Sequence, residues 1–202
     1  VDIIIHAASI ASPTFYRKYP IETIESNIFG LNNILKFARN NKVKRILYFS
    51  SSEIYGDPDL KNIPTKEDYN GNVSTIGPRA CYDEAKRMGE TLCYVYNKKY
   101  NIPVRIVRPF NNYGPGLSKL DKRLPADIAN NILKNKNIQI FSNGSPTRSF
   151  CYISDVVVGY LKVIAYKKFA IFNIGNDQEE TSVKELTQAY IKVAKQLYNY
   201  DK

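Results

Sequence analysis

The sequence has 202 residues, of which 44% are hydrophobic and 24% charged, a composition typical of a globular protein. It contains no apolar run of about eighteen residues, which argues against a membrane role. Its formal net charge of +10 would suit a polyanionic partner if the basic residues were clustered, but they are spread along the chain. A solvated surface that meets a small anionic substrate therefore explains the charge better than a nucleic-acid interface does.

Strands and helices alternate in the first half of the chain. The apolar periodicity predicts strands at 1–5, 45–49 and 104–107, and helices at 24–38 and 82–100. A loop rich in Pro, Asn, Asp and Gly occupies 56–79. Three strands separated by helices favour an α/β fold with a doubly wound parallel sheet.

Beyond Pro109 the segments are shorter and richer in turns, which predicts a smaller mixed lobe. The expected elements are a helix opened by Pro125, a strand at 138–141, a helix from Ser154, a strand at 170–174 and a last helix capped by Ser182 and Glu185. We therefore divide the chain into 1–112 and 113–202, and we expect the strand at 170–174 to return to the main sheet.

Tyr82 and Lys86 form the first candidate catalytic pair. They are four residues apart at the start of a predicted helix, so their side chains project from one face with Cβ atoms about 6 Å apart. An ammonium group beside a phenol stabilises the phenolate and lowers the pKa of tyrosine from roughly 10 toward the range in which it can act as a base. The spacing alone is weak evidence, because the chain contains 16 tyrosines.

A second polar element, Ser51-Ser52-Glu53, follows the predicted strand 45–49. Parallel sheets bind ligands beyond the carboxyl ends of their strands, so hydroxyls and a carboxylate are expected to converge there. On its own, a serine-rich segment in this position could equally be a loop with satisfied backbone groups.

Metal chemistry and a serine-histidine triad are not expected. The three cysteines, at 81, 93 and 151, have neither metal-ligand spacing nor an even-numbered disulfide framework, and His6 is the only histidine.

Five stretches together resemble the extended short-chain dehydrogenase/reductase family, which contains the NAD-dependent epimerases and dehydratases of nucleotide sugars. They are 6–9, 51–58, 77–87, 108–115 and 147–155. Within this family the stretches, above all Gly77 to Arg87, resemble those of the UDP-glucuronate decarboxylases. The resemblance implies an NAD-dependent carboxy-lyase that forms UDP-xylose through a 4-keto intermediate. It also implies that 1–112 belong to the NAD-binding Rossmann domain and 113–202 to a substrate-binding lobe.

The resemblance implies roles for residues at matching positions. Tyr82 would take the proton of the sugar 4-hydroxyl, and Lys86 would hold the nicotinamide ribose. Ser51 would hydrogen-bond the 4-oxygen, while Glu53, helped by Ser52, would manage the proton at C5. The implied NAD contacts are His6, through its backbone segment, Ala7, Phe49, Tyr82, Lys86 and Asn112. The implied substrate contacts are Asn111 and Arg148 at the nucleotide diphosphate and Arg123 near the sugar carboxylate.

The sequence departs from the family pattern at two places. It contains neither the glycine-rich turn that cradles the cofactor pyrophosphate nor the acidic residue that selects NAD, and Gly116 stands where relatives carry an arginine. We therefore expect this chain to be an inactive fragment that lacks both ends of a longer enzyme. The intact enzyme is expected to be a homodimer in the cytoplasm, or in the Golgi lumen if the parent protein carries an N-terminal anchor.

Two other functions remain open. A sugar-nucleotide 4,6-dehydratase or 4-epimerase would use the same scaffold, but dehydratases usually carry an aspartate at the position of Ser52, and an epimerase would not normally need Glu53. A non-catalytic nucleotide-sugar-binding or nucleic-acid-binding protein is a remote alternative. The joint presence of Ser51, Glu53, Tyr82 and Lys86 argues against it.

Overall fold

The computed structural model describes residues 1–118 and 120–202. These residues form two compact units, one made of Val1–Phe110 with Ser154–Ile174 and the other of Asn111–Ile153 with Gly175–Lys202. The single division after residue 112 that the sequence predicts differs from this arrangement at residues 111–112, which belong to the second unit, and at 154–174. The segment 154–174 belongs to the first unit because it supplies a strand of the main sheet.

Strands and helices alternate through most of the described chain. The strands are β1 Ile3–His6, β2 Arg45–Phe49, β3 Val104–Pro109, β4 Asn111–Tyr113, β5 Thr147–Arg148, β6 Phe150–Tyr152, β7 Ile171–Ile174 and β8 Thr181–Ser182. The α-helices are α1 Pro13–Lys18, α2 Pro20–Glu25, α3 Leu31–Asn40, α4 Ala80–Tyr100, α5 Leu124–Leu133, α6 Ile153–Ala165 and α7 Val183–Tyr198. A π-helical segment, Ser26–Gly30, joins α2 to α3, and 3-10 turns occupy Ser52–Tyr55 and Leu60–Asn62. Within the described residues, none of the helices has the length and apolar character to cross a membrane.

A parallel four-stranded sheet in the order β1-β2-β3-β7 organises the first unit. Parallel neighbours need crossover connections, which α1 to α3 provide between β1 and β2 and α4 provides between β2 and β3. The strand predicted at 170–174 is present as β7, which pairs with β3 so that Ile106 lies opposite Ile171. This sheet confirms the predicted α/β fold class.

The core of the first unit lies on the central strands. Ile46, Leu47 and Tyr48 of β2 are at most 1% exposed, because helices cover both faces of a parallel sheet and favour strands that are apolar throughout. Helix α3 turns Leu31, Leu35 and Ala38 toward this core, at the spacing of one helical face.

A buried polar network joins β3, α4 and β7 to the loop that follows β2. Arg108 of β3 donates to both carboxylate oxygens of Glu90 on α4, at 2.9 and 2.7 Å, and to the Tyr55 hydroxyl at 2.6 Å. The Tyr55 hydroxyl donates in turn to Asn173 of β7 at 2.7 Å. Ser50, directly after β2, donates to Glu90 at 2.5 Å. The network fixes the segment that carries the candidate site to the sheet behind it.

The second unit has a smaller core between α5 and α7. It is formed by Ile128, Ile132, Ala194 and Tyr200, while β4 pairs with β6 and β5 with β8. The predicted capping box is confirmed, because Ser182 and Glu185 each accept the other's backbone N–H. The strand predicted at 138–141 is wrong, since these residues pair with no strand in the described part of the chain. Ile138 instead packs against this core.

Candidate active site

The segment after β2 brings two predicted residues, Ser51 and Glu53, into a fixed turn. Ser51 is buried and caps the 3-10 turn Ser52–Tyr55, with its Oγ accepting the Glu53 N–H at 3.2 Å. This capping bond sets the direction in which the turn leaves the strand. Ser52, the first residue of the turn, is half-buried.

Tyr82 lies in the first turn of α4 and is 6% exposed. Its ring stacks on that of Tyr16, with the ring centroids 5.1 Å apart and the planes 11° from parallel. The Ser51 side chain lies close enough to its hydroxyl to lower the pKa of Tyr82. The structure therefore brings Ser51 and Tyr82 together, as the sequence pattern predicts.

Lys86 lies one turn further along α4 and is 3% exposed. Its Nζ donates to the Phe49 carbonyl at 2.7 Å and lies 5.7 Å from the centre of the Tyr82 ring. Burial lowers the pKa of Lys86 to about 7, because a buried ammonium loses its hydration. The amine thus borders the end of β2 and the Tyr82 ring.

The pKa of Tyr82 moves in the opposite direction to the one that its spacing from Lys86 predicts. Burial raises the pKa of Tyr82 to about 12; the Ser51 side chain opposes that rise, and the charges of Glu53 and Asp83 add to it. Desolvation is therefore the dominant influence on the pKa of this phenol.

Arg79 joins two carboxylates at the start of α4, a contact that the sequence analysis did not predict. Its Nη2 donates to Glu53 and its Nε to Asp83 at 3.4 Å. Burial raises the pKa of Asp83, although Arg79 counteracts this. The available signal was the spacing of Arg79 and Asp83, four residues apart around Tyr82. Within the described residues, no three His, Cys, Asp or Glu side chains are grouped to hold a metal ion.

Apart from Tyr82 and Lys86 on α4, the residues expected to contact the cofactor from the first unit lie at the carboxyl ends of β1 and β2. His6 ends β1, opposite Tyr48, and Ala7 follows it on the surface. Burial and the charge of Lys86 lower the pKa of His6, whose buried Nε2 has no hydrogen-bond partner among the described residues. Phe49 ends β2, and its ring packs edge-on against Tyr160 at 4.6 Å between centroids.

The other predicted contacts belong to the second unit. Asn111 and Asn112 lie on β4, and the Asn111 amide donates to the Ser149 carbonyl at 3.3 Å. Arg148 is exposed on β5. Arg123 precedes α5 and its Nε donates to the buried Asp121 at 2.8 Å, so a substrate carboxylate would have to share this guanidinium with Asp121.

Comparison with known proteins gives both a family and named relatives. The model of the NAD dependent epimerase/dehydratase family matches residues 1–175. UDP-glucuronic acid decarboxylase 3 of Arabidopsis thaliana is 41% identical over 199 residues, which cover 96% of this chain and 57% of that protein. UDP-glucuronic acid decarboxylase 1 of Danio rerio is 41% identical over 181 residues, covering 90% and 43%. The chain thus spans about half the length of the curated relatives that it matches.

Solved structures share the architecture over nearly the whole chain. UDP-glucose 4-epimerase of Thermotoga maritima, solved with UDP-glucose, has a TM-score of 0.87 at 25% identity. The match covers 100% of this chain and 62% of the epimerase chain. UDP-glucuronic acid 4-epimerase of Bacillus cereus, solved with NAD, has a TM-score of 0.79 at 26% identity, with coverage of 100% and 61%. The dTDP-glucose 4,6-dehydratase of Streptomyces venezuelae, solved with NAD, has a TM-score of 0.79 at 25% identity, with coverage of 95% and 57%.

Proposed function

The chain belongs to the NAD dependent epimerase/dehydratase family, and we propose that the full-length protein converts UDP-glucuronate into UDP-xylose and carbon dioxide. The observation that carries this proposal is the grouping of Ser51, Tyr82 and Lys86 at the end of β2 in a chain 41% identical to a UDP-glucuronic acid decarboxylase. We also propose that the full-length protein is a cytoplasmic homodimer.

NAD is the proposed cofactor, and the residues of the first unit fit its nicotinamide end. The buried amine of Lys86 and the phenol of Tyr82 stand beyond the carboxyl end of β2, where parallel sheets bind ligands. The buried Nε2 of His6, which has no partner in the described part of the chain, offers a further polar contact. When bound, NAD would accept a hydride from the sugar and later return it.

Tyr82 and Ser51 would handle the proton at the sugar 4-oxygen. Tyr82 would accept the hydroxyl proton as the hydride leaves C4, which requires the phenol to ionise against the pKa of about 12 that burial gives it, and would give the proton back when the hydride returns. Ser51, whose side chain lies close to the Tyr82 hydroxyl, would hold the 4-oxygen at the phenol. Asn111 and Arg148 are the proposed contacts to the nucleotide diphosphate, with Asn112 at the cofactor and Arg123 at the sugar carboxylate.

Glu53 and Ser52 would manage the proton at C5 after carbon dioxide leaves. Once C4 is a ketone, the C5–C6 bond breaks and its electron pair passes into an enolate. A proton then adds to C5 and restores the ketone, so that the whole reaction consumes one proton from solvent and releases one carbon dioxide. Glu53 is 44% exposed at its side chain, which gives solvent a path to this step.

The test uses the full-length gene product with UDP-glucuronate and catalytic NAD, and it follows carbon dioxide together with the sugar product. We expect UDP-xylose, and we expect Tyr82→Phe to lower the rate by about 10²- to 10⁴-fold, the usual contribution of a general base. The matched control is Tyr94→Phe, an exposed tyrosine on the same helix, which should keep the wild-type rate.

Two outcomes would contradict the proposal. Turnover of a UDP- or dTDP-hexose to a keto-deoxy sugar or an epimer, without carbon dioxide, would indicate the dehydratase or epimerase chemistry of its structural relatives. Affinity for any DNA that falls steeply with salt, with none for UDP-sugars, would indicate a binding protein instead.

A further inference from the structure

Arg79 connects the two segments that carry the candidate catalytic side chains. It is the N-cap residue of α4, directly ahead of the turn that holds Tyr82, and its guanidinium reaches Glu53 on the turn after β2. Its second ion pair is with Asp83, four residues further along the same helix. The guanidinium thus ties the Glu53 carboxylate to the start of α4.

The tie restricts a side chain that would otherwise be mobile. Glu53 is 44% exposed at its side chain, and an exposed glutamate populates several rotamers, which costs free energy to restrict at the moment of reaction. A guanidinium is a planar, pre-organised donor that fixes the direction of the carboxylate it pairs with. The contact therefore selects one orientation of Glu53 before substrate arrives.

This ion pair differs from an ordinary surface pair because its second arm is buried. Asp83 is 9% exposed at its side chain, and its Oδ1 has no hydrogen-bond partner in the part of the chain that the structure describes. A buried carboxylate must be paired to remain charged, so Asp83 holds Arg79 in place. Burial opposes the charge of Arg79, but Glu53, Tyr16 and Asp83 together raise its pKa.

We propose that Arg79 is a positioning residue that aims the Glu53 carboxylate at the sugar C5 and offsets the negative charge of Glu53 and Asp83 beside Tyr82. This inference rests on the proposed function, because it assigns Arg79 to the protonation that follows loss of carbon dioxide. There the enolate electron pair forms the new C5–H bond, the proton comes from a water molecule that Glu53 holds, and solvent replaces that proton.

The test is a double-mutant cycle in the full-length gene product, made of Arg79→Gln, Glu53→Gln and the double variant. If Arg79 acts through Glu53, each single variant should lower the UDP-xylose kcat at least tenfold, and the double variant should be no slower than the slower single. During a single turnover, carbon dioxide and NADH should then form in larger amounts than UDP-xylose, because the hydride returns to C4 only after C5 has been protonated. Arg79→Lys keeps the charge but not the planar guanidinium, so it should recover part of the rate that Arg79→Gln loses.

Two readouts separate positioning from folding or binding. The affinity for UDP, measured by calorimetry without NAD, should stay within twofold of wild type in Arg79→Gln. Arg39→Gln, an arginine of α3 that packs on Tyr100, should leave every quantity unchanged. If Arg79→Gln does not fold because Asp83 is left unpaired, Arg79→Gln with Asp83→Asn removes the stranded charge, and the cycle is measured on that background.

The outcomes that overturn the inference differ from those that overturn the function. Carbon dioxide release by wild type with additive effects of the two single variants, or with a wild-type rate in Arg79→Gln, removes the inference alone. Loss of UDP affinity in Arg79→Gln would make Arg79 a binding residue and also overturn it. A wild-type protein that releases no carbon dioxide removes the proposed function and this inference with it.

Discussion

Burial shifts the pKa values of both Tyr82 and Lys86 in the direction that favours the neutral form. Burial raises the pKa of the phenol to about 12 and lowers that of the amine to about 7. Each residue therefore costs stability whenever it must carry charge, as is common for groups that enzymes keep for chemistry.

The amine of Lys86 should make stability depend on pH. Its pKa is about 7 in the folded protein and 10.5 ordinarily, so the unfolded chain binds more protons between these values and stability rises with pH across that window. The full cost, on the order of 5 kcal/mol, applies below pH 7. The substitution Lys86→Met removes this cost. The amount by which its free energy of unfolding in urea exceeds that of wild type should therefore shrink by about 3 kcal/mol between pH 6 and 9.5.

Lys98→Met provides the comparison, because Lys98 is an exposed lysine of the same helix. The difference in the free energy of unfolding between Lys98→Met and wild type should not change with pH in the way expected for Lys86→Met. A Lys86→Met difference that stays constant over the range would contradict a buried neutral amine.

At the level of single residues, the sequence predicted the contacts that short spacing and strand ends determine. Ser51, Tyr82 and Lys86 meet because a strand end and a helix start are local features that patterns reveal. The partner of Glu53 was missed, because pairing between Glu53 and Arg79 depends on how the loop 56–79 folds back. Loop geometry leaves little trace in periodicity.

Helix α4 lies close to Tyr48 of β2 at Gly89. A methyl group there would stand 2.0 Å from the hydroxyl oxygen of Tyr48 and 2.6 Å from its ring, and Tyr48 is 1% exposed and cannot move aside. Gly89→Ala should therefore lower the free energy of unfolding by about 1–3 kcal/mol, despite the better helix propensity of alanine. Urea unfolding measures the change.

Two matched variants test the cause of that loss. Gly30→Ala meets no heavy atom closer than 4.0 Å and should not destabilise the protein. Tyr48→Phe removes a hydroxyl that has no hydrogen-bond partner among the described residues, so adding it to Gly89→Ala should recover part of the lost stability. Equal losses at Gly30 and Gly89 would rule out the close contact as the reason.

Elements with a clear apolar pattern were largely predictable, including the short strands at 45–49 and 170–174, but the strand predicted at 138–141 and the π-helical segment were not. The strand Arg45–Phe49 has the predicted bounds, and α4 begins two residues before the predicted helix. Residues 138–141 are apolar enough for a strand, but only a pairing partner makes a strand, and a single sequence does not show one. The π-helical segment was missed because its residues fit an α-helical period.

For the molecule as a whole, the Arg108 network links residues far apart in the sequence. Arg108 and Glu90 are 7% and 11% exposed at their side chains, so removing one partner strands a buried charge. Arg108→Met should lower the free energy of unfolding by about 3–5 kcal/mol. Arg108→Met with Glu90→Met, which removes both charges, should recover most of that loss, and denaturant unfolding compares the two. A double variant as unstable as Arg108→Met would show that packing, and not charge, is responsible.

The π-helical turn Ser26–Gly30 contains one residue more than an α-helical turn in the same place, as an inserted residue would leave it. Loss of one residue within 26–30 would restore a regular helix and keep Leu31, Leu35 and Ala38 against the sheet. Loss of one residue within 31–40 would instead rotate that apolar face by roughly 100°. Among descendants of a common ancestor, single-residue gaps should therefore be tolerated at 26–30 and purged from the helix that follows.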